Sequence, residues 1–384
     1  MDEILGNLVQ PHYKEPFFFI NFIKFNRNFV QLADSTVHLQ KKSSRCWKIV
    51  NGSLENRDPL TDNIFFDAEA YVLQVFFDVK LEETVAEKWL LYYWRGQNAA
   101  KGFTPLPPNV ADDHPMDRIC QWSEPAAFFQ SFSKPLIVFA GEEKTFDTGG
   151  CHLLIIRGEL IKEMHLNEVC CDKKSLRSKA SFLLISPHDK VFIYWHGLQT
   201  SEHKRRMIID SKLHELLKSC YVAWSNFTQM EVEEGSENEV FSSTLTGNVS
   251  DYYHLQTNVT FTPRLFYLNS TLGYFSVTEI ENPLRTPDKL ASFPFLQSHL
   301  YSADQPAFFI LDNGQTVWLW QGPRTDLTEP DIFEKDFNNA KTFLHKYAMK
   351  REEILGHSVI VHFVNAYQEP LEFKNLFPTW ADIK

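Results

Sequence analysis

The sequence predicts three related domains in a row, each built from strands and helices, and two observations support this. The first is a recurring β-hairpin pattern, in which a turn joins two apolar arms. It is clearest in residues 307–322, where Asn313-Gly314 separates two runs of β-branched and aromatic residues. The second is a Trp-x-Gly ending on each hairpin, at Gly96, Gly197 and Gly322. These glycines are roughly 100 to 125 residues apart, which is the spacing of domains.

The three hairpins differ in how clearly their turns can be read. Asn313-Gly314 predicts a type I′ turn, in which both residues take positive φ values. Residues 181–197 form a weaker copy with a turn at 186–189, and residues 71–96 form another with a longer connection. The arms of the clearest hairpin are apolar at nearly every position, which is typical of strands buried on both faces.

Composition and charge exclude several classes of protein. The chain has 384 residues, 43% of them hydrophobic, so it can form real cores. Its net charge of −11 argues against a general nucleic-acid binder. The N-terminus begins acidic and breaks its apolar runs with charges, so neither a signal peptide nor a transmembrane segment is expected. Six scattered cysteines without metal-binding spacing fit reduced thiols in a cytoplasmic protein.

We divide the chain into an N-terminal segment, residues 1–44, and three domains, residues 45–141, 142–253 and 254–384. In the first domain, the stretch after Gly96 carries four prolines, which the interior of a helix does not tolerate. The long helix that follows the other two hairpins is therefore expected to be missing there. Without that cover we expect the first domain to be the least stable, unless residues 17–30 pack on its sheet.

The second and third domains share the same order of elements. A helix is predicted over residues 201–219, capped by Ser201, with an apolar stripe that faces a sheet. A second helix is predicted from Thr328 to about Met349, followed by a last strand over residues 359–364. The acidic run 231–239 is interpreted as a strand edge that passes into a turn and a short helix, and not as a metal cluster.

This order, closed by a Glu-Pro-x-x-Phe step at Glu124 and again at Glu369, resembles the gelsolin/villin superfamily of actin-binding proteins over almost the whole chain. The matching residues include 67–71, in place of the family's Gly-Asp-x-Tyr, a Glu-Gly turn at 232–235, and a domain-opening strand at 264–266. Residues 171–197 and 369–380 are similar to the supervillin branch over whole stretches.

The resemblance implies an α+β fold of three gelsolin-like domains, each a central mixed β-sheet between a long and a short helix. They look like the family's fourth to sixth domains. In that family a villin headpiece commonly follows the final Phe-Pro-x-Trp. Because the chain stops at Lys384, we expect that actin-binding module to be absent.

The family's calcium sites pair an Asp at the start of the hairpin with a Glu in the first turn of the long helix, together with backbone carbonyls. The first domain has Glu69 at the aspartate position but lacks the helix, and the second has Ala180 and Lys204 at the two positions. The third has Glu329 on its helix, opposite Ala307. The resemblance therefore implies no intact pair and no cofactor, with Glu69 and Glu329 as the remaining weak candidates.

Two basic stretches are the candidate contacts for actin or for the head group of phosphatidylinositol 4,5-bisphosphate. They consist of Lys173, Lys174, Arg177 and Lys179, before a buried strand, and of Lys204, Arg205 and Arg206, in the first turn of a helix. The helix dipole disfavours cations at a helix start, so something must compensate the second stretch. The alternative for both is an ordinary solvated loop and helix face.

The motifs searched for an enzyme, a nucleophile elbow, HExxH and a phosphate loop, have no match in the sequence, so we expect no catalysis. The resemblance implies a calcium-independent, actin-filament-binding cytoskeletal protein of the cytoplasm, associated with actin at the membrane or cell cortex. Two alternatives stay open: a calcium-regulated protein that severs or caps filaments, and a truncated or spliced scaffold without actin activity.

Overall fold

The computed structural model describes residues 37–81, 84–100, 116–122, 124–158, 160–248, 262–270, 274–280, 293–324 and 330–381. Residues 17–30, the prolines of 101–115 and Glu329 lie outside this range, so the predictions made for them are not addressed. The described residues fall into two compact units. One comprises residues 37–172 and 180–246, and the other comprises residues 173–179 and 247–381.

Within the described residues the strands form three sheets, and the first has five strands in the order β2-β1-β4-β5-β6. Its members are β1 (Val37–Val50), β2 (Ser53–Asn56), β4 (Ala70–Leu81), β5 (Thr84–Arg95) and β6 (Met116–Cys120), while β3 (Ile64–Phe66) joins the second sheet. Strand β6 runs parallel to β5, and the other neighbours are antiparallel. The predicted mixed sheet is therefore present. Strand β1 crosses the boundary placed after residue 44.

The second sheet has seven strands in the order β12-β11-β10-β8-β9-β7-β3. Besides β3 they are β7 (Leu136–Phe139), β8 (His152–Arg157), β9 (His165–Val169), β10 (Ser181–Ser186), β11 (Val191–His196) and β12 (Thr228–Glu233). Strands β3 and β7 come from the stretch assigned to the first domain, yet they extend the sheet of the second through the parallel pair β7 and β9. The domain boundaries themselves stay predictions.

The third sheet has five strands in the order β14-β13-β15-β16-β17, and its last pair is parallel. The strands are β13 (Arg264–Asn269), β14 (Ser276–Glu279), β15 (Phe308–Asp312), β16 (Thr316–Gln321) and β17 (Ile360–Asn365). The hairpin predicted at residues 307–322 is thus confirmed, and so is the last strand. Three mixed sheets accompanied by helices agree with the α+β class.

The predicted type I′ turn at Asn313-Gly314 is wrong. Gly314 has a φ of 94°, but Asn313 is not among the residues with positive φ. The Asn313 side chain instead accepts hydrogen bonds from the backbone N–H groups of Gln315 and Thr316. An Asn side chain that hydrogen-bonds to the backbone of its own turn stabilises a different turn geometry. The Asn-Gly dipeptide alone therefore does not determine the turn type.

Seven helices accompany the sheets in the described residues: α1 (Ala126–Phe129), α2 (Glu202–Asp210), α3 (Leu213–Cys220), α4 (Glu239–Thr244), α5 (Gln297–Tyr301), α6 (Pro330–Leu355) and α7 (Leu371–Lys374). The single helix predicted over residues 201–219 is two helices, because Lys212 adopts a left-handed conformation with φ 51°. Helix α6 continues past the predicted Met349 and ends at Leu355, and the φ of 71° at the following Gly356 suits the residue after a helix C-terminus.

The second and third sheets each lie between helices. In the third, α6 covers one face through Phe343 and Tyr347, while Phe373 of α7 packs on the other. In the second, α2 and α3 cover one face through Ile208 and Leu217. Each large apolar side chain buried in this way contributes about 1.5–3 kcal/mol of transfer free energy to folding. In the first sheet, Val72, Val75, Leu91 and Tyr93 are also buried.

The tryptophans of the three Trp-x-Gly endings make the same kind of hydrogen bond. Each tryptophan donates its indole N–H to a glutamate two residues before a short helix: Trp94 to Glu124 at 2.8 Å, Trp195 to Glu237 at 2.9 Å and Trp320 to Glu369 at 2.8 Å. Glu237 is a copy that the sequence pattern missed, because no proline follows it. At Gly96 a Cβ atom would lie 2.1 Å from the Asp67 carbonyl oxygen, so only glycine fits there.

Candidate functional site

The Glu69 carboxylate lies between β3 and β4, at the start of the first hairpin, and is almost fully buried, with 8% of its side chain exposed. The Lys48 ammonium of β1 lies 2.7 Å from Oε1 of Glu69 and 3.1 Å from Oε2 of Glu143. Glu143 begins a short 3₁₀ turn after β7, and its backbone N–H donates to Oε1 of Glu69. One lysine therefore joins two carboxylates that are distant in sequence.

Two further side chains complete this group. The Tyr71 hydroxyl lies 2.5 Å from Oε2 of Glu69 and donates to it, while accepting from the Phe66 N–H. The Arg57 guanidinium pairs with Oε1 of Glu143. We call Lys48, Arg57, Glu69, Tyr71 and Glu143 the Glu69 cluster. Its charges are two positive and two negative, so the group is neutral overall.

Mutual pairing shifts the ionisation of the Glu69 cluster. Burial disfavours the charged form of Lys48, but its hydrogen bonds to Glu69 and Glu143 outweigh burial and raise its pKa. Burial likewise works against ionised Glu143, yet the hydrogen bonds and charges of Arg57 and Lys48 lower its pKa. These interactions therefore favour the charged forms of Lys48 and Glu143.

The second hairpin leads into helix α2, whose start carries the basic triplet. Ser201 caps the helix by accepting from the Lys204 N–H. Arg205 donates to the carbonyl oxygens of Thr200 at 3.2 Å and Gly197 at 3.0 Å, and it pairs with Glu233 of β12. We call Gly197, Thr200, Arg205 and Glu233 the Arg205 cluster. Its carbonyls and carboxylate supply the compensation that a cation at a helix start needs.

The three basic residues of the triplet have different surroundings. Lys204 is buried, with 9% exposure. The Arg205 side chain is 18% exposed and is held by the Arg205 cluster. The Arg206 side chain is 75% exposed and pairs with Glu202 one turn earlier. Only Arg206 thus presents most of its surface to solvent, and the triplet is not one continuous cationic patch.

Helix α2 and strand β12 also border an open groove with a volume of about 520 Å³. Arg205 and Arg206 line it together with carboxylates from both elements, among them Glu202, Glu231 and Glu233. The carboxylates outnumber the arginines, so the groove does not favour an anionic ligand.

The other basic stretch, residues 173–179, has its own internal structure. Arg177 is buried, and its guanidinium donates to the carbonyl oxygens of Lys174, Leu176 and Phe377. Burial lowers the pKa of Arg177 to about 10 and that of Lys179 to about 8. Lys174 is exposed and Lys173 is half-buried. Arg177 therefore holds the backbone of this stretch, and Lys173 and Lys174 are its accessible cations.

Comparison with known proteins connects these features to a family. No protein-family model matches the chain. The chain is 31% identical to supervillin of Bos taurus over 349 residues, which cover 82% of this chain and 16% of that protein. It is 26% identical to cytoplasmic gelsolin of Homarus americanus over 348 residues, covering 85% of this chain and 41% of that one.

The chain belongs to the gelsolin/villin superfamily. It spans less than half the length of either of these relatives. A solved structure described as a Thorarchaeota 2DGel3/rabbit actin complex matches at 20% identity with a TM-score of 0.21, covering 53% of this chain and all of that one, and a score this low carries no argument. In the described part of the chain, no helix is both long enough and apolar enough to cross a membrane.

The calcium ligands that the superfamily implies can now be tested against the residues present. Calcium needs several free oxygen ligands. Both carboxylate oxygens of Glu69 already accept from protein donors, and one of these donors is a fixed cation. In the second hairpin, Ala180 offers no carboxylate, and its carbonyl accepts from Gly197 and Thr200. These residues do not fit calcium. Glu329, the candidate in the third domain, lies outside the described residues.

Proposed function

We propose that this chain is an actin-filament-binding cytoskeletal protein whose binding does not depend on calcium. The observation that carries the actin part is membership of the gelsolin/villin superfamily across most of the chain. The calcium part is supported by the Glu69 cluster, in which Lys48 and the Glu143 N–H occupy the oxygen that a metal would need. The chain acts in the cytoplasm, on actin at the cell cortex.

Within this proposal, the exposed basic side chains make the contact with acidic partners. Lys173 and Lys174 precede β10, and Arg206 lies on α2. Arg177, Lys179, Lys204 and Arg205, the other candidates, are buried or largely enclosed. Arg177 and Arg205 each hold backbone carbonyl groups of their own stretch. Binding through exposed charges weakens with salt, because these interactions are screened over about 10 Å at 0.1 M.

Co-sedimentation with actin filaments tests the proposal directly. The purified chain should pellet with filaments to the same extent in excess chelator and in millimolar calcium, without shortening the filaments. The double substitution Lys173→Gln and Lys174→Gln and, separately, Arg206→Gln should weaken pelleting and flatten its salt dependence. Lys212→Gln, at another exposed position after α2, is the matched control. Absence of pelleting, or calcium-dependent shortening, would overturn the proposal.

Lys173 and Lys174 are also proposed to bind phosphatidylinositol 4,5-bisphosphate. Vesicles with this lipid should capture the chain more than vesicles with an equal charge of phosphatidylserine, since a phosphorylated head group concentrates charge at one place. Loss of capture on replacing Lys173 and Lys174 would show that these two lysines bind the lipid head group. Equal capture by both vesicle types would show that the chain binds anionic lipid only through general electrostatic attraction.

A further inference from the structure

Three cysteines lie near one another at the end of the second sheet, where β8 begins and β9 ends. Strands β8 and β9 are antiparallel, with Leu153 opposite Val169. Cys151 directly precedes β8, and Cys170 and Cys171 directly follow β9, so all three lie at the same end of this pair of strands. The chain bends after β9, where the Asp172 N–H donates to the Cys170 carbonyl oxygen at 2.7 Å.

Direct contacts support this placement. The Sγ atom of Cys171 lies 3.2 Å from the carbonyl oxygen of Cys151 and donates to it. A disulfide needs Cα atoms about 4.4–6.8 Å apart, and this contact already brings the Cys171 sulfur to the backbone of the residue whose thiol it would bond. Cys151 is exposed and Cys171 is partly exposed, so a small oxidant in solution can reach both.

We propose that Cys151 and Cys171 form an intramolecular disulfide when the protein is exposed to a peroxide. One thiolate attacks the O–O bond of hydrogen peroxide, forms a sulfenic acid and releases the first water. The sulfur of the second cysteine then attacks the sulfenic sulfur, and the second water leaves. Two thiols and one peroxide thus give one disulfide and two waters. The two electrons lost by the sulfurs reduce the peroxide.

The pKa values of the two thiols determine the rate of this reaction. Burial, together with the charges of Glu168 and Cys151, raises the pKa of Cys171 to about 12. Burial also raises the pKa of Cys151. Because the thiolate is the attacking species, the disulfide should form slowly at neutral pH and faster as the pH rises. The pair therefore responds to sustained oxidation and not to brief pulses of peroxide.

Mass spectrometry of the full chain tests the proposal. The folded protein is treated with hydrogen peroxide, the remaining thiols are alkylated, and tryptic peptides are analysed without reduction. Two of the six thiols should be lost, and the peptide that contains Cys151 should be linked to the one that contains Cys171. Trypsin leaves Cys170 and Cys171 on one peptide, so the Cys170→Ser variant is needed to assign the bond.

The linked peptides should persist in Cys170→Ser and in Cys46→Ser, a control at a buried cysteine outside this group. They should vanish in Cys151→Ser and in Cys171→Ser. A bond between Cys170 and Cys171, a bond between two chains, or six intact thiols after prolonged oxidation at high pH would each overturn the proposal. So would a link that forms only in urea, where the strand register is lost.

Discussion

The Glu69 cluster and the Arg205 cluster lie at corresponding places in two related hairpins, and they differ in which groups their cation binds. Both lie near the residues at which the superfamily implies a calcium ligand. In the Glu69 cluster the carboxylate is kept, and Lys48 neutralises it from a neighbouring strand. Next to the Arg205 cluster the corresponding position is Ala180, which has no carboxylate, and Arg205 binds the carbonyl oxygens of Thr200 and Gly197.

The difference shows that a side-chain cation can stabilise either a buried carboxylate or the carbonyl oxygens of a turn. A buried carboxylate without a partner is costly, so keeping Glu69 requires a fixed positive charge. Losing the carboxylate leaves only backbone carbonyls, which need donors but no net charge. The two clusters should therefore differ in what happens when their cation is removed.

The largest effect is expected for Lys48→Met. Removing one partner of a mostly buried ion pair leaves Glu69 and Glu143 facing each other, which should cost about 3 kcal/mol of unfolding free energy. Denaturation in urea measures it. The double variant Lys48→Met with Glu69→Gln should recover at least half of the loss, because the unpaired charge is gone. A loss below about 1 kcal/mol in the single variant would contradict a structural role for this pair.

Arg205→Met should cost less, about 1–2 kcal/mol, because it leaves neutral carbonyl oxygens and the exposed Glu233 without their donor. Arg206→Met is the matched control one residue away. Its pair with Glu202 is exposed, so unfolding free energy should change by no more than about 0.5 kcal/mol. Equal losses at the two positions would show that Arg205 is not specially held.

Local patterns in the sequence predicted much of the fold. The apolar arms of the hairpin at residues 307–322, the Ser201 cap and the strand over 360–365 follow from alternation, capping and periodicity, which act over a few residues. The break at Lys212 could not be read in this way, because helix α3 restarts to place Leu213 and Leu217 in the core. The packing of these two leucines therefore interrupts the single helix that the apolar stripe predicted.

Long-range pairing was harder to predict. Strand β7 is a local apolar run, but its partner β9 was not evident, since any exposed strand edge could receive it. In the candidate site, the motif around Tyr71 identified Glu69 as a ligand position. Its partners Lys48 and Glu143 lie 21 and 74 residues away and belong to no motif. Only the packing of β1 and of the turn after β7 brings them together.

Acid should reduce the contribution of Glu143 to stability. Glu143 has a lowered pKa when folded, so it contributes stability above the ordinary pKa of a glutamate, and that contribution is lost as pH falls through the folded value. The difference in unfolding free energy between the native chain and Glu143→Gln should therefore shrink between about pH 5 and pH 3. Urea denaturation across this range measures it, with Glu233→Gln as the corresponding substitution in the other cluster. A constant difference for Glu143→Gln would refute the linkage.

The smallest expected effect is that of calcium on the native chain. A ligand that binds only the folded state stabilises it by an amount set by its concentration relative to its dissociation constant, about 2.7 kcal/mol at one hundred times that constant. A site with micromolar affinity would thus be obvious at millimolar calcium. Because Lys48 and protein donors already occupy the oxygens of Glu69, and Ala180 supplies no carboxylate, we expect no measurable change in unfolding free energy between chelator and calcium. Magnesium is the control for general ionic effects. Stabilisation by calcium that Glu69→Gln abolishes would show that the lysine yields to the metal, and stabilisation that survives this substitution would direct attention to Glu329.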